Sequence, residues 1–117
     1  MLDHLGKPAI KAGEINEWKM HIKALAENPN VFCKLSGLIT EADWQSWTVT
    51  DLEPYFYYAI EQFGFDRLVF GSDWPVVTLA GSYEKWMNSF LTMCRAFAEH
   101  DIKKILYENA LKFYKLN

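Results

Sequence analysis

Short apolar runs alternate with amphipathic stretches from one end of this chain to the other, and the alternation leaves few folds open. Residues 1–4, 31–35 and 67–70 read as strands: Leu-Asp-His runs into a Gly-Lys-Pro breaker, Val31 to Leu35 is short and partly apolar, and Leu68-Val69-Phe70 is a buried run. Between and after them lie helical periodicities. Over residues 14–27, Ile15, Trp18, Ile22, Leu25 and Ala26 recur at helical spacing until Asn28-Pro29-Asn30 stops the helix. A second helix starts at Thr50-Asp51-Leu52-Glu53, where Thr50 and Glu53 are expected to form a capping box, buries Leu52, Phe56, Ala59, Ile60 and Phe63, and ends at Gly64. Ser82 is expected to cap a third that buries Trp86, Phe90, Met93, Cys94 and Phe97, and a last segment runs from about Asp101 to Tyr114. Strands separated by helices imply a parallel sheet with helical crossovers, hence an α/β fold.

Three parallel strands are few for a stable sheet, and both outer ones have open edges. The first strand also has no room for a full length before it breaks. The chain therefore reads as a single partial domain over residues 1–117 that either pairs with a copy of itself or belongs to something larger.

Composition narrows the function classes. Half of the residues are hydrophobic, which supports a folded core, and the formal net charge of −3 without a Lys/Arg run gives little support to a nucleic-acid or anionic-membrane surface. No apolar run spans a bilayer and MLDHLGKP has no signal-peptide pattern, so a cytoplasmic protein is expected. Cys33 and Cys94 form no CxxC and read as small buried hydrophobes. The chain contains no GxGxxG, Walker loop or HExxH.

Every strand ends in polar residues: Asp3 and His4, then Lys34 and Ser36, then Ser72 and Asp73. In parallel α/β folds, ligands bind outside the carboxyl ends of strands, so these residues share one rim. Asp73 can take a proton from water, ligate a metal, or cap the turn before Pro75. His4 can bind a metal, donate to a carbonyl, or bond to nearby backbone. Lys34 can hold a carboxylate or snorkel to solvent, and Trp74 can wall a site or belong to the core. Ser36 has no histidine near it in sequence and no GxSxG setting, which argues against a nucleophile. His21 and His100 stand alone on helices and read as surface or structural residues.

Five motifs carry a resemblance: "LDHLGKP" (Leu2 to Pro8), "CKLSGL" (Cys33 to Leu38), "FGFDRLVFGSDWPV" (Phe63 to Val76), "YEKW" (Tyr83 to Trp86) and "ENALKFYKL" (Glu108 to Leu116). In this order and spacing they resemble the C-terminal part of the amidohydrolase 2 family, metal-dependent hydrolases of TIM-barrel fold that include L-fuconolactonase and L-rhamnonolactonase. The resemblance implies the last three βα units of a (β/α)8 barrel. It also implies Asp73 as the general base that activates water, His4 as a contact to the substrate carbonyl or an aid in orienting water, and Lys34 facing the oxygens of an acidic or polyhydroxylated substrate; Trp74, from its place beside Asp73, is the candidate apolar wall on the substrate side. A family member carries a His-x-His pair on its first strand, and no such pair stands in these 117 residues. One divalent metal such as zinc is accordingly implied for a longer parent, with Asp73 and His4 as candidate ligands. The expected chemistry is hydrolysis of a sugar-acid lactone. The competing expectations are a decarboxylase of the related branch and an inactive fragment that self-associates into a homo-oligomer.

Overall fold

The computed structural model describes residues 1–115. Helix α1 spans Asn16–Ala26, strand β1 Cys33–Leu35, helix α2 Leu38–Glu41, helix α3 Val49–Phe63, strand β2 Leu68–Phe70, helix α4 Tyr83–Met93 and helix α5 Glu99–Lys103. A π-helical turn over Lys104–Glu108 leads into α6, Asn109–Phe113. The final motif residue Leu116 lies outside the described residues.

Strands β1 and β2 pair in parallel, with Cys33 opposite Leu68 and Leu35 opposite Phe70. Leu2 adds a parallel bridge to Cys33 on the other side of β1. Its N–H donates to the Phe32 carbonyl at 2.7 Å, and the Lys34 N–H donates to the Leu2 carbonyl at 2.9 Å. The expected order of three parallel segments is therefore present, with β1 in the middle. The first is shorter than expected: only Leu2 pairs, because His4 and Leu5 turn into left-handed backbone at φ 51° and 53°.

The second helix begins two residues earlier than its sequence suggests. Thr48, not Thr50, stands at the cap in extended backbone, and its N–H donates to the Asp51 carboxylate at 2.9 Å. Overlapping T-x-x-D and T-x-x-E patterns occupy residues 48–53, and packing selects the first. Trp47, just before the cap, is buried and donates from Nε1 to the Ala80 carbonyl at 2.7 Å, which holds the chain at that entry point. Ser82 caps α4 as expected, accepting from the Lys85 N–H at 3.0 Å. Phe97 lies beyond the end of α4 but still stacks on Phe56 at 6.4 Å.

The core lies between the strands and α1, α3 and α4. Leu35, Leu52, Phe56, Leu68, Trp86 and Phe90 are fully buried within it, and Phe70 stacks on Trp86 at 5.9 Å. Burying side chains of this size contributes about 1.5–3 kcal/mol each against solvent exposure. Cys33 and Cys94 are both buried and unpaired, as expected, and burial pushes each thiol up to about 12. Trp86 also donates from Nε1 to the Gly71 carbonyl at 2.7 Å, which pins the chain where β2 ends.

Two further side chains tie the elements together. Arg67 precedes β2 and spreads its guanidinium over the carbonyls of Ala26 (2.9 Å), Asn28 (2.8 Å) and Val31 (3.2 Å), satisfying acceptors at the end of α1. Asn109 is buried and donates to the carbonyls of Phe65 (2.6 Å) and Leu68 (2.8 Å), so the C-terminal helix is held against the start of β2. The π turn that breaks the expected continuous helix buries Ile105 ahead of Asn109. Among the described residues no helix is long and apolar enough to cross a membrane.

Candidate active site

The polar ends of all three parallel segments meet over the end of β1. After Leu2 the chain bends sharply, and the His4 ring is carried across Gly37 toward the turn that follows β2. At Gly37 (φ 71°), an added Cβ would lie 2.9 Å from the His4 Cβ and 3.1 Å from its Nδ1. Glycine is thus what lets the ring lie over the strand end. On the far side of β1, Gly71 and Ser72 lead from β2 to Asp73, whose φ of 57° is also left-handed. Two residues off the usual backbone, from segments on either side of β1, thereby face each other. Such backbone is uncommon outside glycine and clusters at functional sites.

The His4 Nε2 lies 3.6 Å from the Asp73 Oδ1, and the two side chains are 29% and 11% exposed. Two possibilities raised by the sequence are separated by this geometry. The turn after β2 is capped by Ser72, whose Oγ accepts from the Trp74 N–H at 3.3 Å, while no backbone N–H among the described residues donates to the Asp73 carboxylate. The second ring nitrogen of His4 meets no backbone either: Nδ1 lies 2.6 Å from the Ser36 Oγ at the end of β1.

Ser36 is fully buried, so its hydroxyl is closed to an incoming substrate. Serine, histidine and aspartate are linked here with the serine on the inner side of the ring and the carboxylate on the outer side. A serine nucleophile needs the reverse arrangement. The sequence separation of Ser36 from His4 hid this contact.

His4 and Asp73 line one cleft of about 250 Å³ with Lys7, Gly37, Thr40, Glu41, Trp44, Val76 and Leu79. Lys34 and Trp74 are not in this lining. Lys34 extends to Asp3, 3.3 Å from its carboxylate, and Trp74 is 68% exposed beyond the turn, which excludes it from the core. Lys7, Glu41 and Trp44 are cleft residues that the sequence did not single out for chemistry. The exposed Trp44 was visible only as a loop aromatic, and its Nε1 is fixed by donation to the Thr40 carbonyl at 2.8 Å. A larger hollow of about 700 Å³ shares Thr40, Glu41 and Trp44 with the cleft and is otherwise lined by residues such as Lys11, Ala12 and Asp43. It contains neither His4 nor Asp73, so the smaller cleft is the one that holds the histidine and the carboxylate together. His21 and His100 are both exposed, and His100 pairs with its neighbour Asp101 at 3.4 Å.

Catalytic zinc takes three protein ligands. His4 and Asp73 offer two donors, and among the described residues no group of three or more His, Cys, Asp or Glu side chains comes together to hold a metal. The donor set of this chain does not by itself fit a catalytic zinc site.

Parallel strands joined through helices, with a histidine and an aspartate meeting at the strand ends, define an α/β protein whose candidate site lies at the carboxyl ends of its strands. The chain belongs to the amidohydrolase 2 family (Amidohydrolase), whose profile it matches over residues 1–116. It is 38% identical over 121 aligned residues to an L-fucono-1,5-lactonase of Burkholderia ambifaria, covering 100% of this chain and 41% of that protein. A second L-fucono-1,5-lactonase, from Burkholderia multivorans, is 41% identical over 108 residues, covering 79% of this chain and 36% of the relative. An amidohydrolase from Burkholderia multivorans crystallised with bound zinc superposes with a TM-score of 0.94 at 35% identity, covering 99% of this chain and 43% of that one. The chain spans about two fifths of the relatives it matches.

Proposed function

We propose that this chain supplies the C-terminal βα units of a (β/α)8 barrel hydrolase that opens sugar-acid lactones. The approach of His4 and Asp73 to 3.6 Å at the mouth of one cleft carries the reading. Among the described residues no backbone N–H donates to the Asp73 carboxylate, which is mostly buried, so it is free to accept a proton from water. The water attacks the lactone carbonyl carbon, and as the tetrahedral intermediate collapses the ring C–O bond breaks and the departing oxygen takes the proton held by Asp73, giving the hydroxy acid and restoring the carboxylate. His4 donates from its ring to the oxygen on which charge develops. Lys34 and Trp74 are assigned to substrate contacts made outside this cleft.

The wall of the cleft suits a polyhydroxylated ring. Trp44 gives an apolar face, while Lys7, Glu41 and Thr40 give hydrogen-bonding groups of both kinds. The similarity to two L-fucono-1,5-lactonases supports the same substrate class. In the parent, a zinc ion would need donors from beyond this chain alongside Asp73, since both ring nitrogens of His4 are engaged, Nδ1 with Ser36 and Nε2 in donation to the developing charge.

The test begins with the intact mass of the native polypeptide, which establishes the protein to assay. Asp73→Asn in that protein should lower kcat for lactone hydrolysis by about 10²-fold or more, the scale of general-base catalysis. An unchanged rate would overturn the assignment.

A further inference from the structure

We propose that Ser36 is a positioning residue that sets the tautomer of His4, donating its buried hydroxyl to Nδ1 and so placing the ring proton on Nε2. The proposal rests on the reading of His4 and Asp73 as the reacting pair. The Ser36 Oγ lies 2.6 Å from His4 Nδ1 and makes no other hydrogen bond among the described residues. The residue is fully buried, so water cannot take the place of a missing partner.

A neutral imidazole has one donor nitrogen and one acceptor nitrogen, whereas a hydroxyl is a donor and an acceptor at once. Were the proton on Nδ1, Ser36 would have to accept it and its own proton would point into a closed space with no acceptor. A buried donor left unpaired is costly. With Nδ1 bare, the hydroxyl donates, every polar hydrogen is satisfied, and the remaining proton sits on Nε2. Packing holds the arrangement: a Cβ on Gly37 would come within 3.1 Å of Nδ1, and one on Gly71 within 3.0 Å of the Ser36 Cβ. Ring and hydroxyl are thus enclosed from two sides.

The Nε2–H faces Asp73 Oδ1 at 3.6 Å, too far for a formed hydrogen bond. It is therefore free to donate to an oxygen that comes to rest beside the pair within reach of both, either the water to be activated or the lactone carbonyl. Ser36 acts on the reaction only through the ring.

Nitrogen-15 NMR of the imidazole side chains, at a pH where His4 is neutral, tests this directly. His4 is one of three histidines, and His4→Gln identifies its signals. The native protein should show His4 with a protonated Nε2 and a bare Nδ1. Ser36→Ala should give mixed tautomers and a fall in kcat of about 10- to 100-fold with KM little changed, the scale seen when a partner that orients a site histidine is lost. A proton on Nδ1 in the native protein overturns the proposal, as does an Ser36→Ala protein that keeps both the Nε2 tautomer and full kcat. The native spectrum decides the tautomer even should Ser36→Ala fail to fold. A native protein with the Nε2 tautomer and no lactone hydrolysis would support the tautomer assignment and overturn the lactonase reading alone.

Discussion

The His4 ring lies directly against Gly37, so close that a methyl group at residue 37 would sit 2.9 Å from the His4 Cβ. Gly37→Ala combines this clash with a left-handed backbone at φ 71°, a conformation that costs a non-glycine residue about 1–3 kcal/mol. Gly13 has nearly the same φ of 70°, but an added Cβ there meets nothing within 4 Å. Urea unfolding should show Gly37→Ala losing more stability than Gly13→Ala. In the assayed protein only Gly37→Ala should also lower kcat, because it alone displaces the ring.

Asn109 links the C-terminal segment to β2 through two carbonyls, and its replacement leaves both without a donor. Asn109→Leu should destabilise by about 1–3 kcal/mol in chemical denaturation. Asn109→Asp should cost at least as much near neutral pH, since a carboxylate would face the carbonyl oxygens of Phe65 and Leu68. Equal midpoints for the native and both variant proteins would show the link to be dispensable.

Arg67→Lys is a conservative change in charge but not in shape. A lysine ammonium cannot span the carbonyls of Ala26, Asn28 and Val31 as the guanidinium does. We expect a loss of about 1 kcal/mol or more, read by thermal unfolding, and a similar loss for Arg67→Met. Indistinguishable Arg67→Lys and native proteins would contradict the role assigned to the fork.

The buried thiols of Cys33 and Cys94 set an alkaline limit. Burial raises each from 9.0 to about 12 in the folded state. The unfolded chain ionises first, so between those values it binds fewer protons than the native state and stability falls as pH rises. Below about pH 9 the contribution is fully present. Cys33→Ala should flatten the stability–pH curve between pH 9 and 12 relative to the native protein, measured by denaturant titration.

Much of this architecture was legible because it rests on local signals. Helical spacing located α1, α3 and α4, and Ser82 announced its own cap. The apolar run Leu68-Val69-Phe70 marked β2, and the repeated polar strand ends placed His4, Ser36 and Asp73 on one rim. Boundaries were less secure where two local solutions compete. Thr48 and Thr50 both suit a helix start, and burial of Trp47 selects between them.

The sequence by itself determined the alternation of parallel segments and helices, and with it the rim, since periodicity and strand-end polarity act over a few residues. Tertiary structure alone decided how the rim is wired. The His4–Ser36 bond joins residues 32 apart in sequence, and the His4–Asp73 approach joins residues still farther apart. Nothing local specifies either contact, because both depend on β1 lying between Leu2 and β2 and on a glycine at residue 37 that lets one side chain cross it. The same geometry leaves Lys34 and Trp74 outside the cleft and brings Lys7, Glu41 and Trp44 into it. Strand order and close approach of backbones set those positions, and they exist only once the chain is folded.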